Sequence, residues 1–175
     1  MHILIDGYNL IRQSIDLKRF ERHSLEAGRK ALIEWLSRYR KRKDHRITVV
    51  FDGWISGSAQ EERDYLSGIQ IIYSSRGVKA DDVLKRITAS TDEEILVVSS
   101  DREIISFASR KGKATLSSIE FESIVNRQLT DPGDDFPEHK DEEEEESGHP
   151  AGKKGPAYRL PKAKRQAQTK IRKLY

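Results

Sequence analysis

The chain opens with Met1-His-Ile-Leu-Ile-Asp-Gly-Tyr-Asn-Leu10, and this stretch decides the fold. Ile3, Leu4 and Ile5 form a short apolar run of the kind that a fully buried strand shows. The run ends on Asp6, and ligands of open parallel sheets bind at the carboxyl ends of the strands. Asp, Gly and Asn are also ordinary turn formers, so this stretch alone is compatible with an active site and with a plain turn.

Similar apolar runs recur along the chain and alternate with helical patterns. The further predicted strands are 47–51, 69–73, 95–98 and 114–116, and the predicted helices are 24–43, 80–89, 102–110 and 118–129. Residues 10–23 are compatible with a loop or a short helix. This alternation predicts an α/β fold: a parallel sheet of about five strands with helices on both faces and right-handed crossovers.

The helix predicted over 24–43 has the clearest pattern in the chain. Ser24 is a suitable N-cap, and an apolar stripe recurs at spacings of three and four; its members are Leu25, Arg29, Leu32, Leu36 and Tyr39. Basic residues crowd the last turn, over 38–43. They complement the helix dipole, and the alternative is a patch that contacts phosphates.

The pattern of strands and helices ends at residue 130. Residues 131–150 hold one Lys or Arg and ten Asp or Glu, and residues 151–175 hold nine Lys or Arg and no acid. We therefore expect a domain over 1–130, a disordered acidic and then Gly/Pro-rich linker over 131–160, and a basic tail over 161–175 that is compatible with a short helix. The simpler expectation is that both runs are solvated and that the basic end orders only on a large RNA; the alternative is that the acidic and basic runs fold back on each other or on the domain.

Carboxylates follow the predicted strands, either at the strand end or in the loop beyond it. They are Asp6, Asp52, Asp81, Asp82 and Asp101. Loops that leave the carboxyl ends of parallel strands share one edge of the sheet, and like charges at close range raise each other's pKa unless a cation is present. Hard oxygen ligands without His or Cys suit Mg²⁺ or Mn²⁺, which can activate a water and stabilise displacement at a phosphodiester.

Each carboxylate also has a structural interpretation. Asp81 or Asp82 could be the N-cap of its helix, and so could Asp101. Asp52 with the following Gly could form a plain turn. Asp6 is the hardest to explain in this way, because its backbone neighbours are buried. The five histidines are scattered without metal-ligand spacing, and we interpret them as surface residues.

Several classes of protein do not fit the sequence. There is no cysteine, which fits a reducing cytoplasmic compartment, and no apolar run approaches the ~20 residues of a membrane span. No signal peptide pattern opens the chain. A nucleotide cofactor is not expected, because neither Gly-x-Gly-x-x-Gly nor a Gly-Lys-Ser/Thr loop follows the first strand.

With these residues in place, the sequence resembles the NYN-domain nucleases, a branch of the PIN-like ribonucleases, and within them the bacterial YacP-like group of ribosome-associated endonucleases that cut mRNA. The matching stretches are Leu4-Ile-Asp-Gly-Tyr-Asn-Leu10, Val50-Phe-Asp-Gly53, Ala80-Asp-Asp82 and Val98-Ser-Ser-Asp101. The resemblance covers residues 1 to about 129. It implies a PIN-like sheet and a metal-dependent endoribonuclease with mRNA, and the ribosome, as partners.

The resemblance also implies roles for single residues. It implies catalytic acids at Asp6, Asp81, Asp82 and Asp101, with Asn9 as a supporting polar group. Asp52 matches the subgroup more than the wider family. Candidate RNA contacts beside the acids are basic residues that can meet phosphates and aromatic residues that can stack on unpaired bases; they are Arg12, Arg76, Lys79 and Arg102, with Tyr8 and Trp54. The alternative for each basic residue is a solvated surface charge, and the alternative for Tyr8 is a packing role.

Two other functions compete with the nuclease. A metal-dependent phosphohydrolase of small phosphate esters on this architecture commonly carries Asp-x-Asp after the first strand, and here the residue two after Asp6 is Tyr8. A non-catalytic RNA- or ribosome-binding factor would take its affinity from the basic tail, and its binding would depend steeply on salt but not on a chelator.

Overall fold

The computed structural model describes residues 1–53, 59–130, 168–169 and 171–174. Strands and helices alternate along most of the chain, as the sequence pattern predicts. In chain order the elements are β1 (His2–Asp6), α1 (Gly7–Gln13), α2 (Ile15–Glu21), α3 (Leu25–Arg40), β2 (Arg46–Phe51), β3 (Glu62–Leu66), β4 (Ile69–Tyr73), α4 (Ala80–Ser90), β5 (Ile95–Val98), α5 (Arg102–Arg110), β6 (Ala114–Leu116) and α6 (Ser118–Thr130).

The strands form one six-stranded sheet in the order β3-β4-β2-β1-β5-β6. β1 lies in the interior of the sheet, parallel to both β2 and β5, and all five of its residues are buried. The β2–β4 and β5–β6 pairs are parallel as well. The prediction of a largely parallel α/β sheet is therefore confirmed, and the carboxyl ends of β4, β2, β1 and β5 share one edge.

Helices cover both faces of the sheet, because alternate residues of each strand point to opposite faces. Ile3 and Ile5 belong to the core that packs against α1, α2, α3 and α6. Leu4 belongs to a second core, which packs against α4 and α5. The three layers follow from these two cores. Asp6 continues the alternation of β1 and so points to the face of α4 and α5.

The strand β3 was not predicted. Its five residues, Glu62-Arg-Asp-Tyr-Leu66, are all exposed, so no buried apolar run predicts this strand. It pairs antiparallel with β4 through the two-residue turn Ser67-Gly68, whose φ angles are 53° and 82°. Positive φ at both central residues is the signature of a type I′ hairpin, in which Gly is favoured. The sheet thus has one strand more than expected, on its edge.

Helix starts follow the predicted capping residues in part. The Ser24 hydroxyl accepts a hydrogen bond from the backbone N–H of Ala27 (3.0 Å), as expected of the N-cap of α3. The region 10–23, left open between loop and helix, forms the end of α1 and the whole of α2, with Ser14 as the N-cap of α2. The apolar residues of α6 are not all buried, since Ile119 is 58% exposed.

The described C-terminal residues lie against the domain at the amino edge of the sheet. The Leu174 side chain is fully buried in the core beside α3, and its carbonyl accepts a hydrogen bond from the Tyr39 hydroxyl (3.3 Å). Lys173 donates to both carboxylate oxygens of Glu94 (2.9 and 2.8 Å), and its carbonyl lies 3.1 Å from His45 Nε2.

The expectation of a fully solvated tail is therefore wrong for residues 171–174, because Leu174 has an apolar site to fill. Residues 168–169 and 171–172 are helical, which agrees with the short helix that the sequence allows. The predicted linker, 131–160, lies outside the described residues, as does most of the predicted tail.

The basic residues at the end of α3 also lie toward this amino edge. Tyr39 packs beside His45, with ring centroids 6.2 Å apart, and Arg42 donates to the carbonyl of Gln128 (2.6 Å). α3 runs antiparallel to β1 and β2, so its last turn lies at the end of the sheet opposite to Asp6. A phosphate-contacting patch over 38–43 would therefore be remote from the candidate acids.

A buried histidine lies at the amino end of β1. His2 Nε2 lies 2.9 Å from Thr48 Oγ1, and Thr48 in turn donates to Gln70 Oε1 (3.0 Å). Burial, with the nearby Arg46, lowers the pKa of His2 to about 4. The interpretation of His2 as a surface residue is thus wrong, because its ring belongs to a hydrogen-bonded chain across β1, β2 and β4.

Candidate active site

Asp6 ends the central strand and at the same time caps the helix that follows. Its Oδ1 accepts from the backbone N–H of Asn9 (3.2 Å), and its Oδ2 accepts from the Ser99 hydroxyl (3.1 Å). Gly7 lets the chain turn directly into α1, because a Cβ there would lie 2.3 Å from the Phe51 ring. The residue pattern Asp-Gly-Tyr-Asn therefore fixes a buried carboxylate at the start of a helix.

The carboxyl group of Asp6 is only 7% exposed, and its surroundings disfavour its charge. Desolvation raises its pKa to about 6, the two hydrogen bonds oppose the rise, and the negative charges of Asp81 and Asp101 add to it. A buried carboxylate next to two others is a strained electrostatic arrangement that a cation would relieve.

Asp81 and Asp82 lie in the first turn of α4, but neither caps it. The N-cap position is occupied by Lys79, which makes no side-chain capping bond. The structural interpretation of these acids as caps is therefore wrong. Asp81 is half-buried, and burial together with the charge of Asp101 raises its pKa. Asp82 is exposed.

Asp101 serves as the N-cap of α5, as its structural interpretation predicts. Its Oδ1 accepts from the backbone N–H groups of Glu103 (2.7 Å) and Ile104 (3.4 Å). Within the described residues no hydrogen bond uses Oδ2. One oxygen thus orients the side chain, and the other can face a ligand at the edge of the sheet.

A network of polar side chains ties the loops at this edge together. Asn9 Oδ1 accepts from the backbone N–H of Ser100 and from the Ser118 hydroxyl, each at 2.8 Å. Ser99 donates to Asp6 and accepts from the backbone N–H of Asp101 (3.1 Å). Asn9 therefore joins the loops after β1, β5 and β6, and Ser99 links two of the candidate acids.

Sequence reasoning missed the roles of these serines. Ser99 and Ser118 are both fully buried. The available signal was their position, since Ser99 directly follows the most apolar strand and precedes Asp101. A small polar residue that must be buried between two strand ends needs hydrogen-bond partners, and carboxylates supply them.

Asp52 occupies a different place from the other acids. The Ser74 hydroxyl lies 3.4 Å from its Oδ1 and accepts from the backbone N–H of Gly53 (3.0 Å). Gly53 is required here, because a Cβ would lie 1.9 Å from the carbonyl oxygen of Ser74. Asp52 is thus part of a link between the ends of β2 and β4, and its charge is not among those that raise the pKa of Asp6 or Asp81.

The carboxylates do not form a closed metal cage. Among the residues that the structure describes, no three His, Cys, Asp or Glu side chains gather closely enough to hold an ion by themselves. Mg²⁺ usually keeps several waters and is held by one or two carboxylates with substrate phosphates. One or two of the carboxylates of Asp6, Asp81 and Asp101, completed by waters, fit an ion of that kind, whereas the predicted set of five protein ligands is not assembled among the described residues.

A lysine lies beside these acids. Lys85, one turn after Asp81 on α4, forms an ion pair with Glu103 on α5. Its ammonium is also close enough to Asp81 and Asp82 for their charges to raise its pKa, after the larger effect of Glu103. The sequence patterns did not single out this pair.

The predicted RNA contacts differ in their surroundings. Tyr8 is only 9% exposed and packs edge-on against Phe51 (5.2 Å between ring centroids), as the packing interpretation of this residue predicts. Arg12 lies over the Tyr8 ring and forms an ion pair with Glu21 (3.2 Å). The remaining basic residues, Arg76, Lys79 and Arg102, are exposed. Trp54 lies outside the described residues.

The chain matches one family model and one curated relative. The model, described as the YacP-like NYN domain, matches residues 3–172, so the match continues past residue 130, where the resemblance in the sequence had ended. The protein YacP of Bacillus subtilis strain 168 is 26% identical over 102 residues, which are 57% of this chain and 59% of that protein. The aligned region thus spans less than two thirds of the relative.

Solved structures show the same fold. Two crystal structures of Rae1 (YacP) from Bacillus subtilis, one of them of a mutant, match with TM-scores of 0.60 and 0.59. Both are 23% identical to this chain and cover 73% of it, and the match covers 75% and 74% of those chains. No helix among the described residues is long and apolar enough to cross a membrane.

Proposed function

Because the chain belongs to the family of YacP-like NYN domains, we propose that it is a metal-dependent endoribonuclease that hydrolyses phosphodiester bonds of single-stranded RNA. The family membership indicates the class of reaction, and the proposal assigns the reaction to the edge of the sheet where β1 and β5 end. Messenger RNA as the substrate, the ribosome as a partner and the cytoplasm as the compartment belong to the same proposal.

One observation carries the proposal. Asp6 is buried at the carboxyl end of the central strand, and the charges of Asp81 and Asp101 act on it from two separate helices. A fold gains no stability from two carboxylate charges that raise the pKa of a third, buried carboxyl group, so such an arrangement is typical of a functional site. The burial of Asp6 without a cationic partner among the described residues makes a purely structural role a poor explanation.

The protein side chains have distinct tasks in this proposal. One or two of the carboxylates of Asp6, Asp81 and Asp101, together with waters and a substrate phosphate, would hold a Mg²⁺ or Mn²⁺ ion. Such an ion, when bound, lowers the pKa of a water and stabilises charge on the phosphate. Ser99 keeps the Asp6 and Asp101 loops in register, and Asn9 holds the loops after β1, β5 and β6 together. Asp82, exposed in the first turn of α4, is available to orient the attacking water.

One observation favours a second candidate, a non-catalytic RNA-binding factor. No three metal-ligating side chains gather among the described residues. A binding factor needs only basic groups, and its affinity for RNA would not depend on a divalent ion.

A cleavage assay separates these functions and the phosphohydrolase. The wild-type chain is incubated with end-labelled single-stranded RNA or with a small phosphate ester, in Mg²⁺, in Mn²⁺ or in excess chelator. The proposal predicts internal cuts in the RNA with either metal, none with chelator, and no turnover of the ester. Binding without cuts under all conditions would favour the binding factor, and turnover of the ester alone would favour the phosphohydrolase.

A further inference from the structure

Arg29 is an unusual member of the stripe through which α3 packs on the sheet. Its side chain is half-buried, and its guanidinium carbon lies 5.3 Å from the centre of the Tyr73 ring. Arginine is rarely buried unless it is paired with a carboxylate. Within the described residues no carboxylate forms an ion pair with Arg29, whereas the neighbouring Arg12 is paired with Glu21.

The position of Arg29 relates it to the candidate active site. Tyr73 ends β4, and β4 is separated from β1 by β2 alone. Val50 is the register partner of both Asp6 and Ile72, so Tyr73 lies two strand spacings from the end of β1, roughly 10 Å. Tyr73 points to the face of α3, whereas Asp6 points to the face of α4 and α5.

The chemistry of the pair suits a phosphate. An arginine over an aromatic ring is oriented through the face of its guanidinium, and its N–H donors lie in the plane of the group. Burial raises the pKa of the Tyr73 hydroxyl and the charge of Arg29 opposes that rise, so the guanidinium also lies near this hydroxyl. Its N–H donors match the fork geometry with which arginine binds phosphate.

A nuclease with this edge also needs such a group. RNA carries a negative charge at every nucleotide, and the carboxylates around Asp6 repel it. Affinity has to come from cations that contact phosphates on either side of the cut. Arg29, held on the ring of Tyr73, supplies a cation near the same edge, on the face of the sheet opposite to the acids.

We infer that Arg29, held on the Tyr73 ring, binds a backbone phosphate of the RNA strand next to the scissile one, so that the strand crosses the carboxyl edge from the α3 face to the α4–α5 face. This inference rests on the proposed function, because it takes RNA as the ligand. It assigns Arg29 to binding and gives it no part in the bond-breaking step.

The test is RNA binding without catalysis. Binding of a fluorescein-labelled single-stranded oligoribonucleotide is followed by anisotropy in chelator, over a range of salt concentrations. The variants are Arg29→Met and, as the matched control, Arg38→Met, which removes the same charge from an exposed position at the far end of the same helix. We expect Arg29→Met to weaken binding about 5- to 10-fold and to lower the salt slope by about 0.7, the value for one phosphate on a single strand.

A third variant separates charge from packing. Arg29→Lys keeps the positive charge, so its salt slope should stay near that of the wild type while its affinity falls less than that of Arg29→Met. Equal affinities and slopes for Arg29→Met and Arg38→Met would overturn the inference. So would an Arg29→Lys slope that falls as far as that of Arg29→Met, because packing would then explain the loss.

The assay also separates this inference from the proposed function. Cleavage is blocked by the chelator and is not measured. A chain that binds RNA with the expected effect of Arg29, yet does not cut it when Mg²⁺ is added, supports the subsite and contradicts the nuclease. A wild-type chain that does not bind the oligoribonucleotide overturns the subsite.

Discussion

The two ends of β1 hold the two most instructive titratable groups in the molecule. His2 and Asp6 lie four residues apart in one strand, and their exposed fractions are 6% and 7%. Desolvation is the main cause of the pKa shift at both, and it acts in opposite directions: it lowers the pKa of His2 to about 4 and raises that of Asp6 to about 6. Both groups are thus pushed toward their neutral forms.

The neighbours of each group make the difference. His2 hydrogen-bonds in a chain with the uncharged side chains of Thr48 and Gln70. The charges of Arg46 and Glu93 beside it act on its pKa in opposite directions. Asp6 is surrounded by hydrogen-bond donors that favour its charge and by two further carboxylates that oppose it. Burial to the same extent therefore leaves a neutral, hydrogen-bonded His2 in the core at one end of the strand. At the other end it leaves the Asp6 carboxylate, whose charge a bound cation would stabilise.

The stability of the amino edge of the sheet should depend most strongly on Leu174. Leu174→Ala removes a fully buried side chain next to Tyr39, and substitutions of this type cost about 2–4 kcal/mol of unfolding free energy. Denaturant unfolding measures the change. Leu66→Ala is the matched control, because Leu66 is 50% exposed on β3 and should change stability little. Equal effects of both variants would mean that the C-terminal residues do not stabilise the domain.

The pH dependence of stability tests the effect of burial on His2. Its folded pKa lies below the unfolded value of 6.5, so the unfolded chain takes up the proton first, and stability is lost as the pH falls from about 6.5 to about 4. We expect the wild type to lose about 2–3 kcal/mol relative to His2→Gln over this window. Urea unfolding at several pH values measures it, and parallel curves for the two chains would contradict it.

Asp6 should show the opposite sign. Its folded pKa lies above the unfolded value of 3.8, so stability is lost as the pH rises from about 3.8 to about 6. In chelator at neutral pH we expect Asp6→Asn to be more stable than the wild type by about 1–3 kcal/mol, because the buried charge is gone. Unfolding curves at low and neutral pH test this, and an Asp6→Asn chain that is less stable at neutral pH would refute it.

Substitution of Ser99 tests whether hydrogen bonds organise the carboxyl edge of the sheet. Ser99→Ala removes the donor to Asp6 and the acceptor for the Asp101 N–H, which should cost about 1–2 kcal/mol and raise the pKa of Asp6 further. The acidic limb of the pH profile for RNA cleavage should then move to higher pH. Ser109→Ala, on the exposed face of α5, is the control and should leave the profile unchanged.

Most of the fold was predictable, because the interior strands are short apolar runs that end on polar residues. The carboxyl edge followed from the rule for parallel sheets, and that rule brought Asp6, Asp81 and Asp101 to the same rim. β3 was missed because exposed charged residues carry no burial pattern, and its only signal was the Ser67-Gly68 turn.

The parts of the site that were missed depend on three-dimensional neighbours. Asp101 is both a helix cap and a candidate ligand, and periodicity cannot show that one side chain uses its two oxygens differently. The sequence left Tyr8 open between stacking on RNA and packing, and its ring packs edge-on against Phe51, whose own ring lies against Gly7. The sequence shows Arg29 only by its spacing, as a charged member of an otherwise apolar stripe. Its lack of a carboxylate partner among the described residues depends on three-dimensional packing, which the sequence does not show.

Catalysis at the carboxyl edge of the sheet should depend most directly on Asp6. The rate of RNA cleavage under single-turnover conditions in Mn²⁺ tests this dependence. We predict that Asp6→Asn cuts at least about 10²- to 10⁴-fold more slowly than the wild type, whereas Asp92→Asn, the same change at an exposed position near the amino edge, cuts at the wild-type rate. A folded Asp6→Asn chain that cuts RNA as fast as Asp92→Asn would contradict the assignment of catalysis to this edge of the sheet.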